Sequence, residues 1–283
     1  MTTRNVLDEI IAHKLEELEA HKLAVPLAEL KARAQGRPAA LDFVAALRPA
    51  AGQDGRVRLI AEIKRASPSR GALNASLDPR ALAVDYAANG AAAISVLTDS
   101  RYFRGDIEDL VQARAALTGD PPARLSAPVP LLRKDFIFDP YQLYASHAYG
   151  ADAVLLIAAA LPGDLLAALL TMAHALGMSA LVEVHSEAEL EQALLARPRV
   201  IGINNRDLRN LSVDLATFER LRPLVPPGVI VVAESGVHSA ADVQRLADQG
   251  ADAVLVGEAL VTARNVGAQV REFASVPRGG PPT

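Results

Sequence analysis

The chain has 283 residues, enough for one large or two small domains, with 51% hydrophobic and 22% charged residues, a formal net charge of -4 and no cysteine. So small a net charge excludes an extended basic groove for nucleic acid or a patch for an anionic membrane surface, and leaves any anionic ligand to a local site. The missing cysteines exclude a disulfide framework, thiol catalysis and thiolate metal ligation, and none of the six histidines is spaced as HExxH, so no metal site is expected.

The N-terminus, MTTRNVLDEIIAHKLEELEAHK, carries acidic residues throughout and has no uninterrupted apolar run. It reads as neither signal peptide nor membrane span, which predicts a cytoplasmic protein. Residues 1–50 read as two or more helices, with Val6, Leu7, Ile10, Ile11, Leu15 and Leu18 forming an apolar stripe. They form an extension packing on the rest of the chain, not a separate domain, and AAGQDGRV is the link between the two. From there β-branched runs alternate with Ala- and Leu-rich helical stretches. The strands are LIAEIK (59–64), AAISVL (92–97), VPLLRK (129–134), AVLLI (153–157), ALVEV (180–184), VIGIN (200–204), VIVVAES (229–235) and AVLVG (253–257). Helical patterns fall at 79–89, 106–117, 140–149, 163–176, 187–196, 214–224 and 240–249. Eight strands with crossover helices and apolar faces imply a parallel sheet covered on both sides, and their regularity predicts a single α/β barrel of (β/α)8 type over 51–275. Residues 276–283 are expected to be frayed.

YGADAVLLI (149–157) and QGADAVLVG (249–257) repeat the same helix end, turn and strand start, which places units four and eight in equivalent positions of two half-barrels. A shared turn explains such an echo, so it speaks to architecture alone.

Within the first strand, AEIKRASPSRG sets Glu62 and Lys64 on the face of Ile60, opposite Leu59, Ala61 and Ile63, because side chains two apart share a face. For this segment alone, an ion pair closing the strand and a functional pair are equally open. In phase with them, other strand ends carry Lys134, Glu183, Asn204 and Glu234, and the first, third, fifth and seventh strands supply every charge. Alternate strands of such a barrel feed one interior layer, so five charges converge at the mouth where its active sites lie, too many to serve packing alone. Ser235 and Gly236 after the seventh strand and Gly257 after the eighth sit on the loops that bind phosphate through backbone N–H groups, with Ser67 and Lys64 closing from the first strand. The loop 65–76, polar and rich in turn formers, should be mobile over the strand ends.

AEIKRASPSRG, LLRKDFI, GADAVLLI, LVEVH, GINNRDL, VAESGV and GADAVLVGEAL stand in the order and on the strands seen in indole-3-glycerol phosphate synthases, a family the chain resembles from Leu59 to about Leu260. The resemblance implies a cofactor-independent carboxy-lyase of tryptophan biosynthesis. It would close, decarboxylate and dehydrate 1-(2-carboxyphenylamino)-1-deoxy-D-ribulose 5-phosphate to indole-3-glycerol phosphate, working as a monomer or weak homodimer on this small-molecule substrate. It implies Lys134 as general acid toward the substrate carbonyl, and Lys64 as the holder of the carboxylate or phosphate or as the proton donor in dehydration. Glu183 and Glu62 become candidate bases, their steps not apportioned, while Glu234 and Asn204 position hydroxyls and lysines. Ser67, Ser235, Gly236 and Gly257 resemble the phosphate cradle. Phe103, Phe136 and Leu155 resemble the wall against the anthranilate ring, and Arg206 lies close to the substrate.

Two positions depart from the pattern. Arg70 precedes Gly71 where relatives vary, and Glu258 stands where some relatives have a serine beside the phosphate, so a hydroxyl contact would be missing there. A fused isomerase barrel, carried by some relatives, is not expected. The alternatives are another sugar-phosphate enzyme on the same barrel, which would not need Glu62, Lys64, Lys134 and Glu183 together, and a non-catalytic phosphometabolite-binding protein, which would tolerate losing them.

Overall fold

The computed structural model describes residues 5–48, 55–119 and 127–279. Among these, eight parallel strands close into a barrel: β1 (Arg58–Ile63), β2 (Ala93–Leu97), β3 (Leu131–Lys134), β4 (Ala153–Ile157), β5 (Ser179–Val184), β6 (Val200–Asn204), β7 (Ile230–Glu234) and β8 (Ala253–Val256). Closure is made by β1, where Ile60 pairs with Ala93 of β2 on one side and Leu255 of β8 on the other. The period-two reading holds: Leu59, Ala61 and Ile63 pack between sheet and helices, while Ile60 joins Leu132, Leu155, Leu181 and Val232 in the barrel interior.

The outer layer is α4 (Pro79–Ala88), α5 (Ile107–Thr118), α6 (Pro140–Ala148), α7 (Gly163–Ala175), α8 (Glu187–Leu195), α9 (Ala216–Leu221), α10 (Ala240–Asp248) and α11 (Val266–Ala274). Their starts follow from side-chain caps. Asp78 and Asp139 each accept a backbone N–H just ahead of a proline at the first helical position, and Asp106, Asp139 and Ser239 form capping boxes. α11 was not among the expected helices, although Val266, Val270 and Phe273 have helical spacing and Asn265 caps it.

The echo between 149–157 and 249–257 has a physical content beyond the turn. Gly150 and Gly250 adopt φ of 106° and 88°, and the aspartate two residues on reaches the start of the preceding strand. Asp152 accepts the Leu131 N–H and Asp252 the Val231 N–H, each at 2.8 Å. One buried carboxylate thus ties β3 to β4 and its counterpart ties β7 to β8.

Before the barrel come α1 (Val6–Ala24), α2 (Leu27–Gln35) and α3 (Phe43–Leu47). Leu7, Ile10, Lys14 and Leu18 form the buried face of α1. Leu15, expected in the stripe, is 50% exposed, because it lies about 100° round the helix from Lys14. α1 and α3 close opposite ends. Phe43, Val44 and Leu47 pack with Ala93, Ala153, Val200, Ile230 and Ala253, the first residues of five strands, and so plug the bottom, whereas Leu7 and Ile10 join Phe136 and Ile157 at the strand ends.

Most of the expected linker, residues 50–54, lies outside the described residues. The expected frayed tail is paired as far as residue 278: the Val57 N–H donates to the Val276 carbonyl, Arg56 bridges Pro277, and Arg278 pairs with Asp252. Residues 280–283 lie outside the described residues. The loop 65–76 is better tied than its composition suggests. It folds as a ribbon of Ala66–Ser67 against Gly71–Ala72, with the Arg65 guanidinium on Asp109 and the Asn74 amide on the Val261 carbonyl. No helix among the described residues is long and apolar enough to cross a membrane.

Candidate active site

The strand ends converge as their phase requires. Lys134, the last residue of β3, puts Nζ 3.2 Å from Glu183 Oε2 of β5 and 3.4 Å from Glu234 Oε2 of β7. Just past β1, Lys64 Nζ lies 2.8 Å from Glu62 Oε1. Asn204, ending β6, donates through Nδ2 to Glu183 Oε1 at 3.0 Å and accepts the Arg206 N–H on Oδ1 at 2.9 Å. Its orientation is therefore fixed from both ends. Burial alone would lower the Lys134 pKa, but Glu183, Glu234 and Glu62 around it hold the ammonium charged, above its ordinary range.

Three buried carboxyls face two ammonium groups here, and one acid is left over. Glu234 takes that role: burial, then Glu183 and Glu62, push its pKa from an ordinary 4.5 to about 8, with Lys134 opposing. Among the described residues its oxygens lack a well-formed hydrogen bond, and its nearest cation is the Lys134 ammonium in a long ion pair at 3.4 Å. A carboxyl whose pKa is higher in the fold than in the unfolded chain stabilises the fold fully below the unfolded value, and that contribution is lost as pH rises through the folded one. Stability from urea denaturation should fall between pH 4.5 and about pH 8, and E234Q should flatten the slope. Parallel profiles for the two proteins would mean that Glu234 is already ionised.

A cavity of about 100 Å³ at this mouth is lined by Glu62, Lys64, Ser67, Phe103, Lys134, Phe136, Asn204, Arg206, Glu234, Ser235, Gly236 and Gly257. Two expected site residues stand apart. Leu155 is buried in the interior apolar layer with Phe136, and Glu183 borders a smaller neighbouring cavity, reaching the mouth through Lys134 and Asn204. Phe103 and Phe136 form one apolar side, ring centroids 6.3 Å apart. On the other side Ser235 and Gly236 are successive positive-φ residues, 64° and 81°, at the turn that follows β7.

The volume is below that of a site holding a drug-sized molecule, so the mouth is closed over. Three contacts close it: Ile10 of α1 lines the cavity, Arg206 Nη1 donates to Ser69 Oγ at 3.1 Å, and Arg70 Nε donates to Glu258 Oε1 at 2.7 Å. The two positions that depart from the family pattern are thus each other's partners, and Glu258 turns toward the loop.

Sequence reading missed Ile10, Leu208, Leu211 and Ser69 around the cavity, since each arrives from a loop or from the extension. It also missed two clearances. A Cβ on Gly202 would collide with Glu234 Oε1, and one on Gly257 with Glu62 Oε1 and, at 3.1 Å, Lys64 Nζ. A glycine inside VIGIN is a readable sign of such close approach. Gly257 leaves room for the Glu62–Lys64 pair as well as ending β8.

Fold and mouth together define a (β/α)8 barrel that gathers acid and base groups at the C-terminal ends of its strands. The sequence matches the family described as indole-3-glycerol phosphate synthase over residues 7–273. It is 50% identical over 271 residues to the indole-3-glycerol phosphate synthase of Roseiflexus sp. (strain RS-1), covering 95% of this chain and 97% of that one. It is 47% identical over 270 residues to that of Dehalococcoides mccartyi (strain CBDB1), covering 95% and 99%. The chain belongs to the indole-3-glycerol phosphate synthase family, whose members are carboxy-lyases of tryptophan biosynthesis. Solved structures with the same fold include a tryptophan synthase alpha chain from Legionella pneumophila subsp. pneumophila, TM-score 0.60 at 14% identity, covering 84% of this chain and 97% of that one. Another is a 3-hexulose-6-phosphate synthase from Salmonella typhimurium, TM-score 0.57 at 13% identity, covering 78% and 98%.

Proposed function

We propose that this mouth converts 1-(2-carboxyphenylamino)-1-deoxy-D-ribulose 5-phosphate to indole-3-glycerol phosphate, CO2 and water, with Lys134 as the general acid. The observation carrying this reading is the Lys134 ammonium held between Glu183 and Glu234 at 3.2 and 3.4 Å, facing a cavity with an aromatic side. The aryl carbon that bears the carboxylate attacks the ribulose carbonyl carbon, and Lys134 protonates the oxygen as its charge develops. The carboxylate leaves as CO2 and its bonding pair restores the aromatic ring. The new hydroxyl then leaves as water, Lys64 supplying its proton, while a neighbouring C–H or N–H proton passes to Glu62 or Glu183. Glu234 and Asn204 position lysines and hydroxyls, Phe103, Phe136 and the underlying Leu155 support the anthranilate ring, and Arg206 steadies the substrate.

The turn at Ser235–Gly236, with Gly257 and Ser67 lining the same cavity, suits the phosphate, with Lys64 supplying charge. Glu258, engaged by Arg70, leaves the contact to backbone N–H groups. Inorganic phosphate should therefore compete with substrate. A side chain at Gly236 meets a φ of +81° and puts Cβ 2.9 Å from Leu215, so G236V should raise KM far more than it lowers kcat, phosphate binding being shared by ground and transition states. Absence of phosphate competition, or a pure kcat effect in G236V, would move the phosphate elsewhere.

The reaction itself is tested by mixing purified protein with the aminodeoxyribulose phosphate and following indole fluorescence and CO2 release with and without a chelator. No product would leave a binding role or a different sugar-phosphate reaction. The same reading has the enzyme acting in the cytoplasm as a monomer or weak homodimer, which cell fractionation and size-exclusion chromatography test.

A further inference from the structure

The inward face of α1 carries a lysine where its pattern calls for an apolar residue. Lys14 lies one turn from Ile10 and one from Leu18, and its side chain is 7% exposed. Its Nζ is 2.9 Å from Asp135 Oδ1, 3.2 Å from Asp99 Oδ2 and 2.8 Å from Glu17 Oε2. None of these carboxylates lines the cavity and no reaction step uses them.

What the two aspartates hold is the aromatic side of the mouth. Asp99, two residues past β2, accepts on Oδ1 the N–H groups of Tyr102 and Phe103, at 2.7 and 3.2 Å, and so caps the helical turn Ser100–Phe103 that presents the Phe103 ring. Asp135, directly after Lys134, accepts the Phe136 N–H on Oδ1 at 2.9 Å, while Thr98 and Arg133 hold its Oδ2 at 2.6 and 2.8 Å. Asp99 Oδ2 has no hydrogen-bond partner, and the Lys14 ammonium is the one cation in an ion pair with it among the described residues. Burial raises the Asp99 pKa, with Asp135 adding repulsion and Lys14 opposing both, so the two carboxylates tolerate each other through that ammonium. Glu17, one turn on, accepts from Ser100 Oγ at 2.6 Å and brings the same turn against α1.

We propose that Lys14 is a positioning residue for the aromatic half of the substrate: through Asp99 and Asp135 one ammonium from the N-terminal extension sets both Phe103 and Phe136. The proposal rests on the reading of those rings as the anthranilate wall. It assigns the extension a specificity role, in that loss of Lys14 loosens recognition of the aryl group and leaves the phosphate end of the site intact.

The test compares inhibition of the full-length enzyme by two fragments, anthranilate and inorganic phosphate. In K14M the inhibition constant for anthranilate should rise about 3- to 10-fold, the scale of one aromatic contact, with that for phosphate within twofold of the parent. K14R, which keeps the charge, should recover most of the difference. If K14M does not fold, K14M/D99N carries the test, because it removes one charge of each sign and leaves Asp135 to Arg133. Lowered thermal stability with anthranilate inhibition unchanged would make Lys14 a structural residue only. Equal weakening of both fragments would mean the mouth as a whole had shifted, and would also overturn the proposal. A parent enzyme that makes no indole product fails at the functional reading instead, before any variant is compared.

Discussion

Replacing Lys134 with methionine should lower kcat at least about 10²-fold, the scale of losing a positioned acid, while KM changes little. Lys134 is the residue whose charge the site is built to keep, since Glu183, Glu234 and Glu62 all act on it against the effect of burial. Methionine keeps roughly the volume and none of the proton. The end proposed for phosphate, at Ser235, Gly236 and Gly257, is separate from the Lys134 pairs with Glu183 and Glu234, so ground-state binding should survive. Removing the ammonium also leaves Glu183 buried without its cation, which costs about 3–5 kcal/mol, so turnover is to be measured well below a reduced Tm. A folded K134M protein with parental kcat would take Lys134 out of the acid role.

Deleting residues 1–45 should abolish cooperative folding. Composition suggests a dispensable extension over a self-sufficient barrel, and the sequence expectation is that such a truncation folds and loses only its cover. The structure gives the extension two further tasks. Lys14 neutralises Asp99 and Asp135, and breaking a buried ion pair costs about 3–5 kcal/mol. Phe43 and Val44, buried to 0% and 2% exposure, plug the bottom, where loss of a phenylalanine side chain costs about another 3–5 kcal/mol. Together these consume most of a stability that for a natural domain is about 5–15 kcal/mol. Thermal circular dichroism should show a broad or absent transition. A sharp melt near the parental Tm, with KM raised and kcat lowered, would instead show that the extension acts as a cover alone.

The charged layer at the mouth was legible because it obeys a local rule. Side chains two apart in a strand share a face, and the same phase that puts Ile60 inside puts Glu62 and Lys64 there. Lys134, Glu183, Asn204 and Glu234 follow by the same reading on their own strands. Gly202 was half-legible: a glycine inside a strand announces a close approach, but not that Glu234 is what approaches. Leu15 was misread because a stripe drawn from apolar residues alone passes over Lys14, the charged residue that occupies the buried line.

What the sequence by itself determined is the eight-strand alternation, the inward phase of its charges, the capped helix starts and the half-barrel echo, all set by neighbours within a few residues. What only the tertiary structure decided is pairing across the closed barrel. Arg70 meets Glu258 across 188 positions, Lys22 meets Asp139 across 117, and Lys14 reaches Asp99 and Asp135 from a helix that precedes the barrel altogether. The physical reason is that backbone periodicity fixes which way a side chain faces, whereas the partner it finds there, and with it the pKa of a group such as Glu234, depends on which distant strand ends closure brings within a few ångströms.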